Sequence, residues 1–119
     1  MTLSKRTSQP GSRIQFYSPE LLFLALSGQP YRGSIYVNYE SVGESFDLIE
    51  FKKYITSLRA RKFNSEDIAY EIFSTINNAI DSKDLGVVVD LSARGGIQQR
   101  LSFGSDFKVY KKANIFQIS

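Results

Sequence analysis

The clearest periodicity in the chain runs from Gly33 to Glu40, where Gly33, Ile35, Val37 and Tyr39 alternate with Ser34, Tyr36, Asn38 and Glu40. A period of two puts one set on a core and the other on the opposite side of a sheet, which predicts a strand. Before it, Glu20 to Leu26 is almost continuously apolar and reads as a buried strand, closed by the turn-forming Ser27-Gly28-Gln29-Pro30. After Gly43 the spacing changes. Leu48, Phe51, Ile55 and Leu58 recur every three or four residues, one stripe of a helix, with Lys52, Lys53 and Arg59 turned to water. A second stripe, Ile68, Ile72, Ile76 and Ile80 with Ala69 and Phe73, predicts another helix. Asn64 or Ser65 is placed to cap it, and Glu66 and Asp67 favour the positive end of its dipole. Beyond Asp81 to Asp84, the β-branched Val87, Val88 and Val89 make Leu85 to Leu91 a third strand. Arg94-Gly95-Gly96 reads as a bend or bulge before a fourth strand, Ile97 to Phe103.

The order strand, strand, helix, helix, strand, strand predicts an α+β fold: an antiparallel ββααββ sheet with both helices on one face. Residues 1–13 are polar, interrupted by Pro10 and Gly11, and read as an arm without a core-forming pattern; the domain is expected over 14–104, with a C-terminal extension over 105–119. In that extension Phe107 to Tyr110 and Asn114 to Ile118 read either as strands or as an arm packing on a neighbouring subunit. A sheet with two open edges can join copies edge to edge until a barrel closes, so a homo-oligomer is expected.

Composition narrows the chemistry more than the fold. The 119 residues contain no cysteine and no histidine, which removes thiol nucleophiles, disulfides, the usual metal ligands and the usual general base near neutral pH. No metal site is expected. The net charge of +3 collects partly at the ends, in Lys5, Arg6 and Arg13 and in Lys108, Lys111 and Lys112. Without interleaved aromatic platforms this mild bias does not predict nucleic-acid binding. No apolar run approaches the ~18 residues of a membrane span, and the start lacks an apolar signal segment, so the expectation is a soluble cytoplasmic protein.

Three local patterns, taken in order, resemble the tunnelling fold (T-fold), and within it the 7-cyano-7-deazaguanine reductase (QueF) family and its archaeal QueF-like relatives. Ser18-Pro19-Glu20, Ser27-Gly28-Gln29-Pro30 and Ser34 to Tyr39 are similar to the family's segment from SPEF through CPxTGQPD to the next strand. Ile49-Glu50-Phe51-Lys52-Lys53-Tyr54 through Ser57-Leu58-Arg59, then Ser65-Glu66-Asp67, is similar to ESKSLKLYxxSxR and the later HED. Ser92-Ala93-Arg94-Gly95-Gly96-Ile97 is similar to TPRGGI. Together they cover residues 18–104.

The departures from the family pattern concern the reacting groups. The resemblance implies a cysteine that attacks a nitrile to form a thioimide, an aspartate seven residues later that moves the proton, and hydride from NADPH. Counting back from Gly28-Gln29-Pro30, the cysteine position holds Leu24, or Ala25 if one loop residue is deleted, and the aspartate position holds Tyr31. Neither Leu nor Ala has a lone pair, and Tyr is a poor acceptor near neutral pH, so covalent catalysis of that type has no nucleophile here. The histidine of HED is Ser65, and the ESKS positions are Asp47, Leu48, Ile49 and Glu50. On these grounds NADPH is not expected as a cofactor.

The resemblance carries over Glu66 as the carboxylate that anchors a purine-like or pterin ring through its N–H edge, by two charge-assisted hydrogen bonds. The plainer reading is that Glu66 only favours a helix N-terminus. Asp47 and Arg94 are further ligand-binding candidates, Arg94 through a phosphate-facing Arg-Gly-Gly loop; the plainer readings are a solvated helix face and a bulge. The resulting expectation is a QueF-like T-fold protein, not a working nitrile reductase, that binds a 7-deazaguanine, purine or pterin between subunits. One alternative is a non-catalytic structural or adaptor subunit contacting protein partners through its termini. The other, by homology alone, is the reductase of queuosine biosynthesis in tRNA modification.

Overall fold

A computed structural model describes residues 3–109. Its main sheet has four antiparallel strands in the order β2 (Arg13–Leu24), β3 (Pro30–Ser41), β5 (Ser82–Arg94) and β6 (Ile97–Gly104). Two hairpins therefore meet along a central β3–β5 pair, in one register from Gly33 opposite Leu91 to Asn38 opposite Gly86 and shifted by a bulge before Glu40 opposite Lys83 and Ser41 opposite Ser82. Between the hairpins come a short strand β4 (Glu44–Phe46) and two helices, α1 (Leu48–Ser57) and α2 (Ile68–Ala79), each abutting a 3-10 turn.

Alternation decides which face the helices cover. Ile35, Val37 and Tyr39 of β3 and Val87, Val89 and Leu91 of β5 join a single core with Phe51, Tyr54 and Ile55 of α1 and Ile68, Ile72 and Ile76 of α2. All six strand residues are at most 1% exposed. Both helices thus lie on one face, and burial of each such aliphatic chain contributes about 1.5–3 kcal/mol. The intervening residues Tyr36, Asn38 and Val88 lie outside this cluster, on the opposite face.

Several expected boundaries move. The first strand begins at Arg13, not Glu20, because Ile14 and Phe16 continue the inward alternation across a bulge at Pro19-Glu20. Leu26 is not buried; it sits 60% exposed in the hairpin loop. The expected Arg94-Gly95-Gly96 bulge is a two-residue hairpin turn, with Arg94 opposite Ile97 and both glycines at positive φ, 59° and 82°. Neither Asn64 nor Ser65 makes a capping side-chain bond; Ser65–Asp67 instead form a 3-10 turn leading into α2. Of the expected stripe of the first helix, Leu48 is 58% exposed while Phe51, Ile55 and Leu58 are buried. In the second helix Ile68, Ala69, Ile72 and Ile76 are buried and Phe73 half-buried, but Ile80, also buried, is already extended, with φ −139°.

The segment expected as a polar arm is also structured where it is described. Lys5–Thr7 form β1, paired antiparallel with β4, and Leu3 is 2% exposed. One buried leucine and a polar ribbon leave no periodic trace, and the ribbon is held by charges that are distant in sequence. Arg6 donates to Asp47 at 2.7 Å, while Asp47 caps α1 by accepting from the Ile49 N–H at 2.8 Å. Glu50 accepts from the Ser4 N–H and hydroxyl at 2.7 and 3.0 Å, and Lys5 pairs with Glu44 at 3.6 Å. Of the C-terminal segments read as strand or arm, residues 110–119 lie outside the described residues. Phe107 lies on the helix-free face, against Gly86; any side chain at Gly86 would run into the Ser105 carbonyl and the Phe107 ring.

Two outcomes follow. The hydrogen bond from Arg6, then that from the Ile49 N–H, holds the Asp47 carboxyl below its usual range. A depressed folded-state value gives stability that is present above the unfolded value of about 3.9 and lost as pH falls through the folded one. Asp47→Asn, which keeps a capping side chain, is expected to flatten the stability–pH curve below about pH 4 in denaturant titrations. Second, the Tyr54 hydroxyl, whose burial raises its pKa, donates to Glu71 Oε2 at 2.8 Å and accepts from Thr75 Oγ1 at 3.0 Å, joining α1 to α2. Tyr54→Phe is expected to cost about 1–2 kcal/mol, read from the urea midpoint at unchanged slope.

Candidate functional site

The first hairpin places the positions singled out by motif at one end of the sheet. β2 ends at Leu24, whose backbone is bridged across the strand edge: its N–H donates to the Arg61 carbonyl at 3.0 Å, and its carbonyl accepts from the Phe63 N–H at 2.9 Å. Ala25 opens the hairpin loop, its N–H donating to the Gln29 carbonyl at 2.7 Å and its carbonyl accepting from the Gly28 N–H at 2.8 Å. Opposite Leu24 the chain returns through Pro30 to Tyr31. The Tyr31 ring stacks on Phe23 with centroids 5.2 Å apart. Leu24, Ala25 and Tyr31 therefore stand together at the hairpin mouth, and none of the three supplies a thiol or a carboxylate.

Arg94 reaches this mouth from the second hairpin. Its guanidinium donates to the Pro30 carbonyl at 3.2 Å and to Gln29 Oε1, and it lies 4.6 Å from the centre of the Tyr31 ring. It ties the two hairpin tips together instead of facing an open loop. Beside it Tyr31, Ser92, Ile97 and Gln99 enclose a small pocket of 180 Å³.

Glu66 and Asp47 have different surroundings. Asp47 is engaged as the α1 cap and the partner of Arg6. Glu66 is exposed in the 3-10 turn that follows the Leu24 bridge, and among the described residues its side-chain hydrogen bond is a long one of 3.5 Å from Ser65 Oγ. Its carboxylate oxygens are thus available to a ligand. Lys5, Arg6 and Arg13, read from sequence as a basic surplus, are each paired with an acid: Glu44, Asp47 and Glu40.

The helix-free face carries a second set of polar groups. Tyr17 and Tyr36 pack at 4.9 Å, and Arg100 grips Asp90 with two bonds of 2.5 and 2.9 Å. Burial, then the Asp90 charge, raises the Tyr36 pKa. Asn38 is 2% exposed, and its Oδ1 has no hydrogen-bond partner among the described residues.

A larger cleft was not foreseen from sequence. It measures 520 Å³ and opens at the β2 bulge, lined by Pro19, Glu20, Leu21, Leu22, Arg32, Gly33, Ser34, Arg59 and Ser92. Its arginines come from a strand and from the 3-10 turn Leu58–Ala60, so no motif or spacing joins them before the chain folds. Among the described residues no helix is long and apolar enough to cross a membrane.

Comparison with known proteins bears on this end of the sheet directly. The family model described as "QueF-like protein" matches residues 30–108, from the hairpin return through β6. An NADPH-dependent 7-cyano-7-deazaguanine reductase of Wolinella succinogenes is 29% identical over 79 residues, 66% of this chain and 64% of the relative. The enzyme of that name from Nitratiruptor sp. is 28% identical over 95 residues, covering 79% and 72%. The chain spans less than two thirds of the Wolinella relative's length. The crystal structure of an archaeosine synthase QueF-Like in the apo form superposes with a TM-score of 0.69 at 21% identity, covering 82% of this chain and 95% of that one, a likeness of fold. With a helix-on-one-face sheet and a family match over most of its length, this chain belongs to the QueF-like protein family.

Proposed function

We propose that this chain is a T-fold protein that recognises a purine-like base, of the 7-deazaguanine or pterin type, through Glu66, without forming a covalent thioimide. The observation that carries the reading is the contrast between two neighbouring stretches. The hairpin mouth offers Leu24, Ala25 and Tyr31, with Tyr31 stacked on Phe23 and covered by Arg94. The turn beyond the Leu24 bridge offers Glu66, an exposed carboxylate with only a 3.5 Å hydroxyl contact among the described residues. A carboxylate accepts two parallel N–H bonds from a guanine-type edge, each charge-assisted. Formation of a thioimide from a nitrile needs a thiolate, and the chain contains no cysteine.

Asp47 is not assigned to the base. Its two oxygens serve the α1 cap and Arg6, so recruiting it would expose the first turn of that helix. Nor is NADPH assigned, since the proposed reading includes no reduction. β2 and β6 are the edge strands of the sheet among the described residues, an arrangement that supports assembly of several copies edge to edge. The names of the relatives point instead to nitrile reduction, the reading that the absence of a thiol opposes. The adaptor reading loses support from residues 3–7: Leu3 is buried and Lys5–Thr7 are paired with β4, so this stretch is not a free arm.

Isothermal titration with 7-cyano-7-deazaguanine, guanine and a reduced pterin tests the proposal. Saturable binding of at least one is expected, weakened about tenfold or more in Glu66→Ala, with the oligomeric state unchanged by light scattering. Absence of binding, or binding indifferent to Glu66, refutes base recognition at this position. Separately, intact-mass spectra after incubation with 7-cyano-7-deazaguanine are expected to show the unmodified mass; an added ligand mass would establish a covalent route through another nucleophile.

A further inference from the structure

We infer that the cleft at the β2 bulge is a phosphate-ester site built on Arg32 and Arg59. The chain has seven arginines, all within the described residues. Five are engaged: Arg6 with Asp47, Arg13 with Glu40, Arg61 with Glu71, Arg94 with Gln29 and Pro30, and Arg100 with Asp90. Arg32 and Arg59 have no partner among the described residues, and both line the same 520 Å³ cleft. They are brought there by different elements. Arg32 belongs to the helix-free face of β3, and Arg59 stands on the 3-10 turn packed along the β2 edge. The bulge at Pro19-Glu20 opens the sheet margin between them.

Two unpaired guanidinium groups in one concavity repel each other, and an anion between them converts that cost into charge-assisted hydrogen bonds. The other donors favour phosphate over carboxylate. The hydroxyl-bearing Ser34 and Ser92 line the same cleft, so two planar forks and two hydroxyls exceed what two carboxylate oxygens can accept but match a phosphate with three terminal oxygens. Glu20, also on the lining, offsets one of the two positive charges and so weakens the hold on any anion. A volume of 520 Å³ exceeds that of a bare anion and lies within the ~300–1,000 Å³ range of small-molecule sites, so the ligand class is a phosphate joined to an organic group. Whether Glu66 binds a base does not enter this inference.

Ribose 5-phosphate, which carries no base, is the probe, with inorganic phosphate as the comparison. Titration calorimetry at low salt is expected to show saturable ribose 5-phosphate binding that weakens as salt is raised. Arg32→Gln and Arg59→Gln should each reduce the affinity about tenfold or more, and Glu20→Gln should increase it, a response that a purely structural role would not give. Equal affinity for inorganic phosphate would identify the free anion as the ligand; tighter binding of the ester would identify the sugar-linked form. Should Arg59→Gln fail to fold, Arg32→Gln alone decides, because Arg32 is exposed and unpaired on its strand. No saturable binding of either probe, or affinity retained in the glutamine variants, overturns the site.

Discussion

The antiparallel pairing of β3 with β5 is the constraint on which the rest of the structure depends. It joins two hairpins that are separated in sequence by both helices, and its register, Gly33 opposite Leu91 through Val37 opposite Val87, sets the face of every inward residue. A slip of one residue would carry Ile35, Val37 and Tyr39 to the helix-free side and strip the core from α1 and α2. Close packing guards the register: a side chain at Gly33 would collide with the Asp90 carbonyl. The same register brings the two hairpin tips to one end, where Arg94 can reach Gln29, Pro30 and Tyr31.

Charge placement on this frame separates groups that hold the molecule together from groups that face outward. The N-terminal ribbon takes up Asp47 and Glu50, two carboxylates that a reading of helix spacing leaves on a solvated face. Arg61 and Glu71 join a polar junction with Tyr54 and Thr75 between the helices. Among the groups that face outward, Glu66 and the pair Arg32 and Arg59 are chemically suited to recognition: a bidentate acceptor and two bidentate donors. The function proposed here accordingly rests on binding, with hydrogen bonds replacing the covalent bond for which the hairpin mouth has no donor.

The strand alternation of Gly33 to Glu40, the stripes of both helices apart from the exposed Leu48, and the valine run were legible because each buried face repeats with a fixed period in its own segment. Boundaries were less so. Arg13 to Pro19 mixes inward Ile14 and Phe16 with polar neighbours before a bulge that breaks the alternation, and β1 carries no apolar pattern at all. In the second helix, acidic first-turn residues mark the start, but a 3-10 turn replaces the capping side chain that the local sequence offers.

The sequence by itself determined the order of the four main strands and two helices, most of their inward faces and the absence of any thiol or imidazole, since these depend on residue identity and on neighbours within a few positions. Only the tertiary structure decided which charges neutralise one another. Arg6 meets Asp47 across 41 positions and Arg94 meets Gln29 across 65, whereas Arg32 and Arg59 come to one cleft beside Glu20 without forming an ion pair among the described residues. Such pairings depend on distance in space, which strand register and a bulge set, and no local pattern of residues encodes them.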